Sequence, residues 1–356
     1  MTDRPVLIAA GGTGGHVFPA LAVAEKLQKA GVRVVWMGTR RGIESRLVPD
    51  AGLDIEWISV SGLRGKGVLK LLRAPIDIAV ACFQAMLIVR RQNPRAVLGM
   101  GGFVSGPGGL IAWLLGRPLI IHEQNAVPGT TNRWLSRIAS RVLEAVPGTF
   151  AERIGALCTG NPVRDALHRT PVVAASTSLS DSPLRVLVLG GSQGARALNM
   201  VVPVAVSRST HFDVWHQCGR TDEDTTKRLY AEQGIDARVE AFIDDMAEAY
   251  GWADLVVCRS GAMTVAELAA TGRGGVLVPY PHAIDDHQTA NGSAMVRAGA
   301  AMLLPETQFD AATLHNVLTE LHENRERVVA MATAARALAR PRAADDVASL
   351  VEELAV

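Results

Sequence analysis

The chain has 356 residues, of which 48% are hydrophobic and 20% charged, which is typical of a globular protein with a substantial core and allows two domains of ordinary size. The formal net charge is only +1, but the charge is unevenly distributed. The residues up to Arg164 include 20 Lys and Arg against 10 Asp and Glu, and the remainder 16 against 25. A basic first half is expected to meet an anionic partner. No run approaches 18 apolar residues, so no membrane-spanning helix is predicted.

Short β-rich apolar runs alternate with helical patterns along the chain, which predicts an α/β protein with doubly wound parallel sheets. The predicted strands are Pro5–Ala10, Val32–Gly38, Ala96–Met100, Leu119–His122, Arg141–Val146, Leu184–Leu189, Val214–Cys218, Asp254–Cys258 and Gly275–Pro279. The predicted helices are Pro19–Ala30, Ile76–Arg91, Ala195–Ser207, Thr264–Thr271 and Asp286–Ala298. The stretch Pro162–Pro183, rich in Ser, Thr, Ala and Pro, is the predicted linker. We therefore predict an N-terminal Rossmann-like domain over 1–163, a C-terminal one over 164–340, and a C-terminal helix over 341–356 that packs back on the first domain.

The four cysteines are far apart and form no Cys-x-x-Cys pair; they are Cys82, Cys158, Cys218 and Cys258. This spacing is typical of reduced core cysteines in a cytosolic protein. The first apolar run is short and leads into a glycine loop, so we do not expect it to be a secretory signal.

Two glycine-rich loops, Gly11–His16 and Gly190–Ala195, each follow a predicted strand and open a helical pattern. The backbone N–H groups at a helix N-terminus favour phosphate. Neither loop is a dinucleotide fingerprint, because Val17 occupies the position of the third glycine in the first loop and the second loop has no Gly-x-Gly. Neither has the lysine of a P-loop. From these residues alone, phosphate binding and a plain tight turn are both open.

Further polar and glycine-rich clusters follow other predicted strands. They are Gly99–Gly109, His122–Asn125, Gly160–Arg164, Arg259–Thr264 and His282–Gln288. Ligands of parallel sheets gather at the carboxyl ends of the strands, so these clusters predict a cleft between the two domains.

Together, these clusters resemble the MurG family of peptidoglycan N-acetylglucosaminyltransferases, in glycosyltransferase family 28. The matching strings are GGTGGHVFPA from Gly11, GLRGKG from Gly62, GGFVSGPGG from Gly101, IHEQNAVPG from Ile121, TGNPVR from Thr159, GGSQGA from Gly190, CRSGAMTVAEL from Cys258 and HAIDDHQ from His282. The resemblance implies the GT-B fold, with two Rossmann-like domains facing a central cleft. It implies an inverting transfer of GlcNAc from UDP-GlcNAc to the 4-hydroxyl of the MurNAc of lipid I, which forms the β1,4 link of lipid II. It implies no metal or other cofactor in the reaction step.

The resemblance also assigns roles to residues. His16 matches the favoured general base, since inverting transfer needs a group that takes the acceptor proton near neutral pH; a structural histidine that bridges the loop is the alternative. UDP-GlcNAc contacts are implied for Thr13, Gly14, Gly15, Asn125, Arg164, Ser192, Ile243, Ala262, Met263, Thr264, Val265, Ala266, Glu267 and Gln288. The resemblance puts His122 and Glu123 on the acceptor side, and we expect Arg259 at a phosphate.

Several of these roles have a physical rationale. Arg164 can clamp a phosphate with two N–H groups, with a hinge salt bridge as the alternative. The Ser192 hydroxyl can meet the charge that develops on UDP as it leaves. Glu267 matches a ribose contact, with a favourable first-turn acid as the alternative. Gln288 matches a contact to the GlcNAc hydroxyls, and Thr289 departs from the second glutamine that some family members carry.

Two groupings leave a metal site open as an alternative that we do not favour. One comprises His282, Asp285, Asp286 and His287, which could be ligands. The other, Asp222–Asp224, is formally a D-x-D, but it opens a polar helical pattern where acidic residues favour the helix dipole.

The run Ile76–Val89 is almost wholly apolar and too short to span a bilayer. Its basic neighbours are Arg64, Lys66, Lys70, Arg73, Arg90, Arg91 and Arg95. It is either a buried helix with solvated ends or an apolar patch that docks on anionic phospholipid. The basic first half and a lipid-linked acceptor favour docking, at the cytoplasmic face of the bacterial inner membrane. We expect no nucleic-acid partner, and we consider other cell-wall synthesis proteins as partners.

Two other functions suit the same fold. A UDP-GlcNAc 2-epimerase would need no lipid acceptor and should lack the basic, apolar first half. A non-catalytic scaffold that binds a nucleotide sugar would have no use for His16 or for an acceptor loop. The basic, apolar first half, His16 and the acceptor loop are all present in this sequence, which favours the transferase.

Overall fold

The computed structural model describes residues 4–60, 68–172, 182–191 and 195–355, without the side chains of residues 68–73 and 284. The chain divides into two compact units. The first comprises Met1–Arg164 together with Arg342–Val356, and the second comprises Asp165–Pro341. The GLRGKG string, residues 62–67, and Ser192–Gly194 of the GGSQGA string lie outside the described residues.

The first unit contains a parallel sheet of seven strands in the order β3-β2-β1-β4-β5-β6-β7. Its strands are β1 (Val6–Ala9), β2 (Val34–Gly38), β3 (Asp54–Trp57), β4 (Ala96–Gly99), β5 (Leu119–Glu123), β6 (Arg141–Glu144) and β7 (Leu157–Cys158). Its helices before the junction are α1 (Gly14–Lys29), α2 (Glu44–Asp50), α3 (Val68–Gln92), α4 (Gly102–Leu114) and α5 (Thr130–Leu135). The strand order reverses at β1, where β4 lies on one side and β2 on the other.

The second unit contains a parallel sheet of six strands in the order β10-β9-β8-β11-β12-β13. Its strands are β8 (Leu184–Leu189), β9 (Phe212–Gln217), β10 (Arg238–Glu240), β11 (Leu255–Cys258), β12 (Gly274–Leu277) and β13 (Ala301–Leu303). Its helices are α6 (Asp165–His168), α7 (Arg196–Val206), α8 (Glu223–Glu232), α9 (Met246–Trp252), α10 (Ala262–Thr271), α11 (His287–Arg297), α12 (Ala311–Glu323) and α13 (Arg325–Ala337).

The last helix, α14 (Ala343–Leu354), belongs to the first unit. It packs against α1, where Lys26 Nζ lies 3.0 Å from Asp345 Oδ2. Its apolar face, including Val347 and Val351, joins the core formed by β1 and α1.

Sequence and fold agree because the central strands are buried on both faces. All four residues of β1 and of β11 are fully buried, which requires continuous apolar runs rather than alternation. The predicted pair of Rossmann-like, doubly wound parallel sheets is confirmed.

The cysteine prediction is right in part. Cys218 and Cys258 are buried in the second unit, whereas Cys158 is exposed and Cys82 is half-buried. The expectation of a core position is therefore wrong for Cys158, which lies in the short edge strand β7. All four thiols are free.

Candidate functional site

The first glycine loop runs from the end of β1 into α1, which begins at Gly14, five residues before the predicted start. Thr13 is exposed and extended, and its carbonyl accepts hydrogen bonds from the N–H groups of His16 and Val17. Gly14, Gly15 and His16 therefore form the first helical turn. His16 is half-buried at the carboxyl edge of the sheet.

The buried carboxylate of Glu44 supports this loop by accepting a hydrogen bond from its backbone. Glu44 is fully buried, and its Oε2 accepts from Gly12 N at 3.0 Å. Its Oε1 accepts from the N–H of Thr39 at 3.0 Å and from the Thr39 hydroxyl at 2.7 Å. Because Glu44 takes the Gly12 N–H and sets a negative charge against the loop, this loop is a poorer phosphate cradle than its glycines suggest. Sequence reasoning missed Glu44, whose only sign was an acidic residue shortly after a strand.

His16 is held by two neighbouring loops. Its Nδ1 lies 3.1 Å from Gln124 Oε1, in the loop after β5. Gly101, after β4, has a φ of 91°, and a Cβ there would lie 2.5 Å from His16 Nδ1. Only glycine fits this conformation and this approach, which explains one glycine of the GGFVSGPGG string.

His122, the fourth residue of β5, is fully buried. Its Nε2 lies 3.0 Å from Gly160 O and its Nδ1 lies 3.2 Å from Gln124 Nε2. Burial lowers the pKa of His122 to about 4, so the ring is neutral at physiological pH. His122 lies beneath the surface and supports Gln124, and its expected place on the acceptor side stays a prediction.

Glu123 is also buried, with an exposure of 2%. Its Oε1 accepts from the N–H and the side-chain amide of Asn125, both at 3.0 Å. Its Oε2 accepts from Gly129 N at 3.0 Å and Asn132 Nδ2 at 2.9 Å. The Glu123 carboxylate therefore shapes the loop that presents Asn125, and its expected place on the acceptor side stays a prediction.

Arg164 ends the first part of the first unit. Its guanidinium carbon lies 5.5 Å from the centre of the Phe18 ring, so a cation–π contact holds it beside the start of α1. Asn161, three residues earlier, donates from Nδ2 to Gln124 O at 3.0 Å. Thr13, His16, Asn125 and Arg164 are thus tied to one edge of one sheet.

In the second unit, the Gln217 side chain, at the end of β9, hydrogen-bonds to the backbone of the second glycine loop. Its Oε1 accepts from Gly191 N at 3.1 Å, and its Nε2 donates to Gly191 O and to Ala241 O, both at 3.0 Å. Ile243, two residues after Ala241, is buried with 3% exposure. Ser192 lies outside the described residues, so its expected diphosphate contact stays a prediction. Sequence reasoning missed Gln217, a polar residue that ends a strand.

The third loop lies between β11 and α10. Ala262 and Met263 are buried in the first turn of α10, whereas Thr264, Val265, Ala266 and Glu267 are half-buried. Tyr250 donates its hydroxyl hydrogen to Glu267 Oε2 at 3.0 Å. This bond fixes the carboxylate that the resemblance assigns to the ribose.

Arg259 is engaged inside its own unit. Its Nη2 lies 2.6 Å from Glu306 Oε2, and its Nη1 donates to the carbonyls of Val278 and Pro279, both at 3.2 Å. The guanidinium also lies 5.4 Å from the Tyr280 ring centre. This placement ties the end of β11 to the end of β12, and a direct phosphate contact stays a prediction.

Gln288, at the start of α11, accepts at Oε1 from Tyr280 N at 2.9 Å. Two aspartates before it have left-handed backbone angles, with φ of 52° at Asp285 and 48° at Asp286. Such angles are uncommon outside glycine and cluster at functional sites. Thr289 donates its hydroxyl hydrogen to Asp286 Oδ1 at 2.8 Å and so stabilises this turn.

The two groupings considered as metal ligands have other partners. Asp222 Oδ2 accepts from Asn199 Nδ2 at 3.0 Å, and Glu223 pairs with Lys227 within α8. Within the described ranges, no three His, Cys, Asp or Glu residues are grouped as metal ligands would be.

Helix α3 is amphipathic in its described part. Ala81, Ala85, Ile88 and Val89 are buried, so the apolar run does contribute to the core. The same helix also exposes large apolar side chains, namely Ile76, Ile78, Val80, Phe83 and Leu87. Among the described helices, none is long and apolar enough to cross a bilayer. The interpretation as a fully buried helix is wrong.

Comparisons with known proteins agree with this architecture. The glycosyltransferase family 28 N-terminal domain matches residues 6–144, and the family's C-terminal domain matches residues 185–347. The UDP-N-acetylglucosamine--N-acetylmuramyl-(pentapeptide) pyrophosphoryl-undecaprenol N-acetylglucosamine transferase of Methylococcus capsulatus is 55% identical, over 98% of each chain. The crystal structure of Acinetobacter baumannii MurG is 42% identical, with a TM-score of 0.81 over 98% of this chain and 99% of that one. UDP-GlcNAc 2-epimerase from Neisseria meningitidis shares the fold alone, at 12% identity and a TM-score of 0.68 over 98% and 100% of the chains.

Proposed function

The chain belongs to the MurG family within glycosyltransferase family 28, and on that basis we propose that it transfers GlcNAc from UDP-GlcNAc to the 4-hydroxyl of the MurNAc of lipid I. The product is lipid II, with a β1,4 link. The observation that carries the proposal is the half-buried imidazole of His16, held at a sheet edge by Gln124 and Gly101.

In the proposed reaction, His16 takes the proton of the acceptor hydroxyl as its oxygen attacks the anomeric carbon of GlcNAc. The bond between that carbon and the diphosphate oxygen breaks, and UDP leaves with the electron pair. Attack from the opposite face converts the α-linked donor sugar into a β-linked product. A positioned base of this kind contributes about 10²- to 10⁴-fold to rate.

We propose that the second unit binds the UDP part of the donor. The α10 N-terminus offers its helix dipole and first-turn backbone N–H groups to the diphosphate. Glu267, fixed by Tyr250, suits the ribose hydroxyls. Since these groups can meet the leaving charge, we expect the reaction step to proceed without a metal, and transfer to persist in EDTA.

The test is transfer of radiolabelled GlcNAc from UDP-GlcNAc to a lipid I analogue by the full chain. We expect a product that contains both sugars, with the β1,4 link identified by NMR. Formation of UDP-ManNAc without any acceptor would instead indicate a 2-epimerase. Binding of UDP-GlcNAc without turnover of either kind would indicate a scaffold. Loss of transfer in EDTA, restored by Mg²⁺, would contradict the metal-free step.

We further propose that the first unit docks on anionic phospholipid at the cytoplasmic face of the inner membrane. The exposed face of α3 is adjacent to α4 and α5, since α3 packs on α4 and α4 on α5. These helices expose Phe103, Trp113, Leu114 and Trp134 as well. Arg137 lies 4.6 Å over the Trp134 ring, and Arg90 and Arg133 are exposed. Aromatic and apolar groups ringed by cations suit a lipid interface.

Sedimentation with vesicles tests this docking. The wild type should bind vesicles that contain phosphatidylglycerol more tightly than neutral ones, and salt should weaken the binding. Phe83→Ser combined with Trp134→Ser should release most of the bound protein, whereas the exposed Met200→Ser in α7 of the second unit should not. Equal binding to neutral and anionic vesicles would contradict the electrostatic part of the proposal.

A further inference from the structure

Resting on the proposed function, we propose that Gln124 is a positioning residue that holds His16 as the Nδ1–H tautomer and leaves the Nε2 lone pair as the base. A neutral imidazole carries one hydrogen, and only the unprotonated nitrogen can accept a proton. The tautomer of His16 therefore decides whether the ring nitrogen that faces away from Gln124 can act. A chain of hydrogen bonds in the first unit determines it.

The chain begins at a group that can only accept. Gly160 O is a backbone carbonyl, and His122 Nε2 lies 3.0 Å from it. His122 Nε2 must therefore carry the hydrogen. Because the ring is fully buried and stays neutral at physiological pH, its Nδ1 carries the lone pair.

The second link fixes the orientation of the Gln124 amide. Its Nε2 lies 3.2 Å from His122 Nδ1, 3.1 Å from Met100 O and 3.3 Å from His122 O. All three of these atoms are acceptors, so the amide nitrogen must face them. A flipped amide would place its oxygen against two carbonyl oxygens and a nitrogen lone pair.

The third link sets His16. With the Gln124 nitrogen turned inwards, its Oε1 faces His16 Nδ1 at 3.1 Å. An amide oxygen can only accept, so His16 Nδ1 donates and its Nε2 holds the lone pair. Gly101 lies against the same edge of the ring, and any Cβ at that position would displace it. The buried carbonyl of Gly160 thus determines, through His122 and Gln124, which nitrogen of His16 carries the hydrogen.

The partner is an amide rather than a carboxylate, which has a chemical consequence. When His16 takes the acceptor proton, the bond from Nδ1 to the Gln124 oxygen persists without any second proton movement. Gln124 supplies direction and a dipole but no charge. The ring is therefore oriented for the reaction by a neutral partner.

Nitrogen-15 NMR of the full chain labelled at histidine tests the tautomer directly, with the His16→Gln spectrum used to assign the His16 signals. In the wild type we expect a protonated Nδ1 and an unprotonated Nε2 at a pH where the ring is neutral. In Gln124→Met this preference should be lost, because methionine fills similar space without accepting the hydrogen bond. A wild-type spectrum with the hydrogen on Nε2 would overturn the proposal.

Kinetics give the second measurement. Gln124→Met should lower kcat by about 10- to 100-fold while the KM for UDP-GlcNAc changes by less than about threefold, since only the base is affected. Gln28→Met, an exposed glutamine near the far end of α1, is the matched control and should leave both unchanged. An unchanged kcat in Gln124→Met would also overturn the proposal. If the wild type transfers no sugar, the proposed function fails, and the NMR result alone then decides the tautomer.

Discussion

Each unit buries one histidine near the carboxyl end of a strand, and the two histidines have different roles. His122 in the first unit and His216 in the second are both fully buried, and burial lowers their pKa values to about 4 and about 3. His122 Nδ1 accepts a hydrogen bond from the Gln124 amide nitrogen, and the Gln124 oxygen accepts one from Nδ1 of the half-buried His16. His216 instead hydrogen-bonds to two buried partners: its Nδ1 lies 2.9 Å from Tyr230 Oη, and its Nε2 lies 3.1 Å from Asn199 Oδ1.

The difference lies in where each network ends. The His216 network continues through Asn199 Nδ2 to Cys218 O and Asp222 Oδ2, which fixes the turn before α8. It contains no half-exposed titratable ring like His16. A buried neutral histidine is therefore not by itself a functional residue. What matters is whether its hydrogen bonds orient a group that can reach a substrate.

The largest expected effect is a loss of stability in acid, and it should be greater in the second unit. The unfolded chain takes up a proton at each histidine near pH 6.5, whereas the folded chain does so only near pH 4 at His122 and near pH 3 at His216. Stability should therefore fall as the pH drops below about 6.5, by roughly 3 kcal/mol for His122 and roughly 5 kcal/mol for His216 in total. Denaturant unfolding between pH 6.5 and pH 5 measures this slope before most carboxylates titrate.

His216→Leu should flatten that slope, because the variant has no proton to take up at this position. The exposed His282→Leu is the control and should keep the wild-type slope. A stability that is constant between pH 7 and pH 5 would contradict the assignment of two neutral buried rings.

The next largest effect concerns Glu123, whose carboxylate accepts four hydrogen bonds in the first unit. Glu123→Ala leaves those donors without their acceptor, two of them on the buried or half-buried amides of Asn132 and Asn125. We expect the free energy of unfolding to fall by about 4 kcal/mol. Glu152→Ala, at an exposed position, should change it by less than about 0.5 kcal/mol. A loss below about 1 kcal/mol for Glu123→Ala would mean that the loop does not depend on this carboxylate.

Matched substitutions of the two histidines test the comparison itself. His122→Leu and His216→Leu should each destabilise the protein by about 2 kcal/mol, because each leaves buried polar partners unpaired. Only His122→Leu should also lower kcat for sugar transfer, by about tenfold, since it releases the Gln124 amide. Thermal unfolding and initial rates on the same preparations separate the two effects. Equal losses of kcat in both variants would remove the distinction between the networks.

The smallest expected effect is at Gln217, which joins the Gly191 loop to Ala241 in the second unit. Gln217→Met should raise the KM for UDP-GlcNAc about five- to tenfold and leave kcat within about twofold, because it loosens donor loops without touching the base. The exposed Gln233→Met, in the same unit, is the control. A fall in kcat with an unchanged KM would contradict a donor-side role.

The central strands could be predicted because burial on both faces imposes unbroken apolar runs, as in β1 and β11. The edge strands β3, β7, β10 and β13 were missed because they are only two to four residues long and partly exposed, so they lack such a run. The start of α1 was placed too late, at Pro19, although the helix continues through this proline from Gly14. Packing of the preceding turn, not local preference, sets that boundary.

Sequence reasoning described the candidate site only at the level of loops. The polar run His122–Asn125 was identified, but the resemblance put His122 and Glu123 on the acceptor side and no individual role was assigned to Gln124. Burial and side-chain rotamers decide these roles, and neither has a one-dimensional pattern. The same holds for Glu44 and Gln217, whose contacts join loops that are distant in sequence, such as Gly12 with Glu44.

The comparison of His16→Ala with the wild type tests the central claim, that the first unit supplies the base while the second binds UDP. Single-turnover transfer to a lipid I analogue and the Kd for UDP are measured on the same two preparations. We predict that transfer falls by at least about 100-fold and that the Kd changes by less than about twofold. Transfer within about threefold of the wild type, or a matching loss of UDP affinity, would contradict it.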